Sequence, residues 1–459
     1  MILKLYKNTK NPEKRKESIL IALVVCFFFF NILNIIIEDH EQVIKGFISI
    51  VTSHAILITD YLVIGGVGGT FLNAFSILIF NYTLMKVFKV PVTGLSVAAN
   101  FTVFGFSFFG KNIFNILPIY LGGILYCKYE SIDFKEILVI LFFTSALAPY
   151  ISEVAFSINA GEGAYINAVC LGAIIGFLVT PLAKKMANFH EGFNLYNVGF
   201  TGGILGSVIS AVMKAYHFEI TDRKIISEHY HEPLLILSVI AFSGFILIGY
   251  YKNNRSFKGL SDLFKDSGHK VDFIAKYGVE VTLINMGILG FVGIAYILVM
   301  NQILSGPLLA GVLTMVGFGA YGKHIKNTLP ILIGVTLASY GTTVSDNFTV
   351  VLSGLFGTSM APIAGVYGTF WGIIAGWLHL SVVRSIGVMH GGLNLYNNGF
   401  SAGIVAGVLL PVMNTVNENI KMRKNMYLER RKTIHDTMAE VKKYLKTKEE
   451  DDSVEGKDA

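Results

Sequence analysis

Apolar runs separated by short polar stretches follow one another from Ile19 to Val412. None alternates with the period of two expected of a half-buried strand, and many approach the roughly 20 residues a helix needs to cross a hydrocarbon core of about 30 Å. The pattern predicts an all-α polytopic membrane protein. The first run, Ile19 to Ile37, is too long for a signal-peptide core and lacks a small-residue cleavage site, so it is expected to remain as a leader helix.

The runs then fall into two sets of six, here called segments a to f. In the first set they cover about 61 to 82, 93 to 109, 113 to 127, 137 to 150, 165 to 181 and 193 to 214. In the second they cover about 277 to 300, 305 to 321, 328 to 342, 348 to 361, 366 to 383 and 393 to 414. One further run, Leu234 to Tyr251, links the sets. Segments b, c and d are short for a crossing, so they are expected to tilt or to stop inside the protein.

Local sequence pairs the two sets. His190-Glu-Gly-Phe-Asn-Leu-Tyr-Asn-Val-Gly-Phe-Thr-Gly-Gly-Ile204 returns as His390-Gly-Gly-Leu-Asn-Leu-Tyr-Asn-Asn-Gly-Phe-Ser-Ala-Gly-Ile404, with ten of fifteen positions identical. Gly105-Phe-Ser-Phe-Phe-Gly-Lys-Asn-Ile-Phe-Asn-Ile-Leu-Pro118 returns as Gly317-Phe-Gly-Ala-Tyr-Gly-Lys-His-Ile-Lys-Asn-Thr-Leu-Pro330. Weaker echoes pair Ala148-Pro149 with Ala361-Pro362 and Asn73 with Asn285. Residues 61–216 and 275–416 therefore read as two copies of one unit. Around them the expected parts are a basic N-terminus (1–17), a leader with a short non-crossing helix at 43 to 59 (18–60), a linker with one crossing (217–274) and a charged tail (417–459).

Charge adds orientation. Only 15% of residues are charged, against about 25% in soluble chains, while 53% are hydrophobic and mean hydropathy is +0.59. Residues 1–17 carry 8 charges and Lys421 to Ala459 carry 20, leaving 40 over the 403 residues between. Basic residues beside apolar segments set topology, so both termini are expected in the cytoplasm, with the chain multi-pass in the cell membrane. A leader, six crossings, a linker and six more give about fourteen. The single linker crossing inverts the second copy, which is the inverted-repeat pattern of transporters and channels, with the site near the midplane. The composition excludes disorder and a disulfide scaffold, and the net charge of +6 sits in tails and loops rather than in a nucleic-acid-binding patch. Cys26, Cys127 and Cys170 have no paired spacing.

The candidate chemistry lies in the repeated motifs. Gly105, Gly110 and Lys111, like Gly317, Gly322 and Lys323, have the GxxxxGK spacing of a phosphate loop, but Asn112 and His324 stand where a magnesium-binding hydroxyl belongs. Nucleotide hydrolysis is rejected. What remains is glycine-rich backbone plus a lysine, a donor set for an anion; the bland counterpart is a lysine snorkelling to headgroups. Asn115 and Asn327 would face the same cavity, with Pro118 and Pro330 starting segment c. In the Asn-Leu-Tyr-Asn motif, Asn194 and Asn197, with Tyr196 between, and Asn394 and Asn397, with Tyr396, open segment f. On a helix each Asn pair would share one face. Such faces should meet protein or a wet cavity, or bond between helices. The pairs Gly172/Gly176, Gly372/Gly376, Gly199/Gly203 and Gly399/Gly403 predict close packing of e on f. His190 and His390 read as interfacial or capping residues, and His379 has no counterpart in the first copy. Glu153 and Glu280 are the main intramembrane acids, too few for an evident proton relay. No metal cluster, cofactor motif or catalytic triad stands out, so an enzyme is not expected. The tail should form a helix on anionic lipid over Lys421 to Thr447, followed by a disordered Lys-Glu-Glu-Asp-Asp run.

At the two repeated motifs the chain resembles an uncharacterised prokaryotic integral-membrane family, catalogued as domain of unknown function 1576, over nearly all of residues 20–415. No activity comes with that likeness. A fainter similarity is to urea channels, inverted duplications with a Gly-x-x-Gly-Tyr-Asn-x-x-Leu-x-Gly pattern; Gly192 to Gly203 and Gly392 to Gly403 share Gly, Tyr-Asn and a later Gly, whereas the Leu-Pro-Phe-Asn signature is missing. The expectation is a transporter or channel for a small polar solute, neutral or anionic, bound by Lys111, Asn115, Lys323, Asn327, Asn194, Tyr196, Asn197, Asn394, Tyr396 and Asn397. Its rivals are a passive urea-type channel, a membrane-embedded enzyme and a non-transporting assembly factor. The lipid bilayer is the other expected partner, and a homo-oligomer stays open.

Overall fold

The computed structural model describes residues 40–54, 58–157, 161–218, 224–341, 346–390 and 392–455. The basic N-terminus and the leader run lie outside them. Helix is nearly the only regular structure, as lipid demands of backbone that must bond to itself. A first helix, α1 (His40–Val51), has 12 residues and so rises about 18 Å, less than a hydrocarbon core. Then come α2 (Tyr61–Val87), α3 (Gly94–Phe106), α4 (Ile113–Glu130), α5 (Leu138–Thr144), α6 (Ala148–Phe156), α7 (Ala164–Met186) and α8 (Asn197–Ala215). The linker forms α9 (His231–Lys252) and a turn, α10 (Leu260–Leu263). The same order returns in α11 (Phe273–Val299), α12 (Gly306–Gly317), α13 (Ile325–Tyr340), α14 (Asn347–Gly357), α15 (Ala361–Tyr367), α16 (Thr369–Gly387) and α17 (Asn397–Glu455). Two short strands, β1 (Ile58–Thr59) and β2 (Lys224–Ile225), pair in parallel.

Among the described residues, nine helical spans are long and apolar enough to cross a membrane. The chain is a multi-pass helical membrane protein. The most exposed of these spans is α9, with only 22% of its apolar window buried and Ile236, Ile240 and Leu247 all more than half exposed, as suits a lipid-facing helix. By contrast α3 and α12, the short segments b, are buried at every position but Leu95.

Those two helices run antiparallel against each other. A Cβ on Gly105 would lie 2.9 Å from Ala310 Cα, and one on Gly317 would lie 2.5 Å from Phe101 Cβ and 3.1 Å from Ala98 O. Their N-termini are held by acids from elsewhere in the chain. Asp60 accepts from Leu62 N (3.0 Å) at the start of α2, and also from Gly306 N (3.1 Å) at the start of α12 and Ser227 N (3.2 Å). Asp272 accepts from Ala275 N (2.9 Å) at the start of α11 and from Gly94 N (2.8 Å) at the start of α3. Each aspartate thus caps its own helix and the helix b of the other set. An acid just before apolar segment a, at matching positions in the two sets, was a legible N-cap signal that the sequence reading passed over.

Segment a is interrupted in both sets. Gly66 (φ 64°, ψ −175°) and Gly278 (φ 84°, ψ 165°) adopt conformations that glycine alone takes readily, one and a half turns into α2 and α11. Two turns further on, Asn73 Nδ2 donates to Ser107 O and Lys111 O (2.9 and 2.8 Å), and Asn285 Nδ2 to Gly319 O and Lys323 O (2.8 Å each). These carboxamides pin the lysine loops.

Four expectations need correction. Segment d is a broken helix in both sets: α5 and α14 end in 3₁₀ turns at Ser145–Leu147 and Thr358–Met360 before α6 and α15 restart at Ala148-Pro149 and Ala361-Pro362. Segment c starts at Ile113 and Ile325, not at Pro118 and Pro330, because the capping pairs lie upstream of the prolines. Small residues of e meet c rather than f: a Cβ on Gly176 would lie 1.9 Å from Ile119 O, and one on Gly376 would lie 2.2 Å from Ile331 O. The glycines of the two f segments instead meet each other, Gly199 against Gly399 and Gly203 against Phe400. Finally, the described residues from Val408 onward form a second unit, helical through Glu455, so the acidic run expected to be disordered is helix. From Val412 to Glu455 the sequence holds neither Gly nor Pro and is rich in Lys, Glu, Arg and Met, all good helix formers.

Candidate functional site

Lysines of the two GxxxxGK loops converge on the tyrosines of the two Asn-Leu-Tyr-Asn motifs, each on the tyrosine of the other set. Gly110 (φ 76°) and Gly322 (φ 86°) turn the chain sharply, and the next residue points inward. Both Lys111 and Lys323 are fully buried. Lys323 Nζ donates to Tyr196 Oη (2.7 Å) and Thr358 Oγ1 (2.8 Å), and lies 4.5 Å from the Tyr196 ring centre and 5.3 Å from that of Phe318. Lys111 Nζ has no hydrogen-bond partner among the described residues; it faces the rings of Phe106 (5.1 Å) and Tyr396 (5.5 Å). The two tyrosine rings stand 6.3 Å apart. Phe106, Phe318 and Phe356 fill the space around them, Phe106 edge-on to Tyr396 at 4.8 Å and Phe318 4.7 Å from Tyr196. Neither lysine has a carboxylate within ion-pair distance among the described residues.

A vestibule of about 830 Å³ leads to this centre. Its exposed charged lining is Glu136, Glu191 and Lys270, and it runs past Asn188 and His190 to Asn194, Tyr196, Gly199 and Tyr396, where no carboxylate is found. Beside it, the loop before α11 holds Asp266 in a network with Lys276 Nζ (2.6 Å), Tyr277 Oη (2.8 Å) and Gly268 N (3.0 Å). Burial pushes the Asp266 carboxyl upward, but these three donors outweigh it and hold the group below the usual carboxylate range. The same loop accepts from the His324 ring at Asp266 O (2.8 Å), assigning Nε2 as the donor, which ties it to the Lys323 turn.

The remaining expected site residues have structural jobs. Asn115 and Asn327 do not face the cavity. Asn115 Oδ1 accepts from Asn112 N (2.9 Å) while Nδ2 donates to Gly110 O (3.0 Å) and Ser152 Oγ (2.9 Å). Asn327 likewise accepts from His324 N and donates to Gly322 O (2.9 Å each). Their carboxamides cap α4 and α13 and fix the lysine turns. Asn194 and Asn394 do not share a helix face with Asn197 and Asn397, since α8 and α17 begin at the second Asn of each motif. The physical reason is local competition: Asn194 Oδ1 accepts from Tyr196 N (3.1 Å) and Asn394 Oδ1 from Tyr396 N (3.0 Å), turns that withhold the backbone from the helix. The intervening Leu195 N and Leu395 N instead donate to Ser359 O (2.9 Å) and Ala146 O (3.1 Å), in the 3₁₀ turns of the opposite sets. Asn197 and Asn397 take up His190 and His390 (3.1 and 3.2 Å), which are buried rather than interfacial. His379 meets Asn398 Oδ1 (3.2 Å). No group of three His, Cys, Asp or Glu suited to a metal ion occurs among the described residues.

Thr358 and Ser145 escaped the sequence reading, and nothing local distinguishes them from ordinary core; Phe106 and Phe318 escaped it too, although they are the identical second residues of the two repeated Gly-Lys motifs. Helical multi-pass architecture, buried polar motifs and a vestibule that reaches them define a membrane protein with a polar centre. Residues 39–215 and 252–415 match the family described as Protein of unknown function (DUF1576), and the chain belongs to that family. The match omits residues 216–251, which hold all of α9 but Lys252. No curated protein and no solved structure matches the chain.

Proposed function

We propose that this protein is a transporter or channel for a small polar solute, with the solute's path running between two oppositely oriented copies of one helical unit. The observation that carries this is the vestibule ending at Tyr196 and Tyr396, where residues of both sets meet around buried lysines. Reciprocity supports the inverted arrangement: Asp60 caps α12 while Asp272 caps α3, and Lys323 reaches Tyr196 while Lys111 reaches Tyr396. Antiparallel packing of α3 on α12 follows the same relation. A scaffold without transport needs no path to its core, and burying two lysines without a carboxylate partner is costly. The positive-inside rule puts the vestibule mouth, near Lys270, on the cytoplasmic side.

Flux through reconstituted protein is the test. Liposomes containing the full chain should conduct some member of a panel of urea, glycerol, acetate and nitrate faster than empty liposomes. In a background with Cys26, Cys127 and Cys170 replaced by Ser, Asn188→Cys at the vestibule wall should give flux that a thiol-reactive sulfonate blocks. Absence of flux for every solute, or flux indifferent to labelling at residue 188, refutes the pathway.

A further inference from the structure

Resting on that pathway, we propose that its solute is a compact monovalent anion, of acetate or nitrate size, bound by the Lys111 ammonium behind the Tyr396 ring. The two sets provide their own comparison. Lys323 Nζ is satisfied by Tyr196 Oη and Thr358 Oγ1. Around Lys111 the matching groups are Tyr396 Oη and Ser145 Oγ, and neither reaches it. Ser145 Oγ donates to Phe142 O (2.6 Å), and the Tyr396 hydroxyl turns to that of Thr102 instead. The Lys111 side-chain nitrogen, fully buried, is thereby left without an acceptor. A ligand that completes it must accept hydrogen bonds, and one that also carries negative charge supplies the counter-ion that keeps a buried lysine protonated.

The vestibule comes close to this place. Tyr396 lines the inner end of the vestibule and its ring also faces Lys111 Nζ, so it stands between path and lysine. In this proposal a turn of that one side chain opens the one to the other. Around the ammonium stand aromatic faces, Phe106 and Tyr396, rather than carboxylates, which admits a small anion and excludes competition from internal acids. Lys323, which already donates to two hydroxyls, is a positioning residue for Tyr196 in this arrangement.

The test compares potassium acetate and potassium nitrate with potassium gluconate at equal ionic strength, using detergent-solubilised full-length protein in thermal unfolding. Acetate or nitrate should raise the Tm of wild type and of Lys323→Gln, and leave Lys111→Met unmoved. Without added anion Lys111→Met should melt no lower than wild type, since the ammonium it removes has no hydrogen-bond partner, so loss of the anion effect there is not misfolding. In proteoliposomes Lys111→Met should lose at least tenfold of acetate or nitrate flux, and Tyr396→Phe should lose part of it. An anion-induced shift that survives in Lys111→Met overturns the proposal. So does urea or glycerol flux in wild type without any anion effect, in which case the pathway stands and its solute is neutral. No flux of either class overturns the pathway itself.

Discussion

Replacing Asp60 tests how the two sets are held together. Its carboxylate is fully buried and accepts three backbone N–H groups, from Leu62, Ser227 and Gly306, so Asp60→Ala leaves three buried donors without acceptors. At about 1–2 kcal/mol for each orphaned group, the loss is about 3–6 kcal/mol. Asp272 accepts only two, from Ala275 and Gly94, at a less buried position, so Asp272→Ala should cost about 2–4 kcal/mol. Asp60→Asn keeps one oxygen, which satisfies at most two of the three donors, and should fall between wild type and Asp60→Ala. The 13-residue helix α3 separates the two aspartates by about 20 Å, so their effects should add within about 0.5 kcal/mol. Thermal unfolding in a fixed detergent, followed by tryptophan fluorescence or light scattering, reads the order of the four variants. An Asp60→Ala protein that melts with wild type, or an Asp272→Ala protein that melts below Asp60→Ala, would sink the cross-capping account, as would marked coupling in the double variant.

Further expectations concern packing and charge. Gly176→Ala and Gly376→Ala drive a methyl group into the backbone oxygens of Ile119 and Ile331, and each should lower stability by about 1–3 kcal/mol, whereas Gly244→Ala, with open space around it, should change little in the same melt. Acid should destabilise the fold through Asp266 and Asp346. Burial raises Asp346, but the Lys224 ammonium at 2.7 Å and the Thr349 hydroxyl at 2.6 Å outweigh it and leave it, like Asp266, below its ordinary value. Their contribution is therefore present above the ordinary carboxylate range near pH 4 and is lost as pH falls through the lowered folded values. A Tm profile from pH 7 to pH 3 should show this decline, and Asp266→Asn should flatten it; an unchanged slope in that variant rejects the assignment. Tyr196→Phe removes one of the two acceptors of Lys323 and should lower both stability and flux, while Thr358→Ser, which keeps the hydroxyl, should leave flux near wild type.

Hydropathy made the membrane class readable, and internal likeness made the matched order of elements readable, because both are properties of residues close together along the chain. So were the turns: Asn112 with Asn115 is a local capping pair, and Gly66 and Gly278 were available as breaks inside apolar runs. Even so, the second Asn of each Asn-Leu-Tyr-Asn motif, not the first, begins the helix, since the first spends its oxygen on a turn. What tertiary structure alone decided is which half answers which. Tyr196 lies 127 residues from Lys323, and Gly306 lies 246 from Asp60, so no local pattern couples them. The same holds for the difference between the lysines: both motifs read alike, yet one ammonium finds two hydroxyls and the other finds none. That difference depends on the placement of Thr358 and Ser145 by broken helices packed in three dimensions, where angstrom-scale offsets decide whether a hydrogen bond forms.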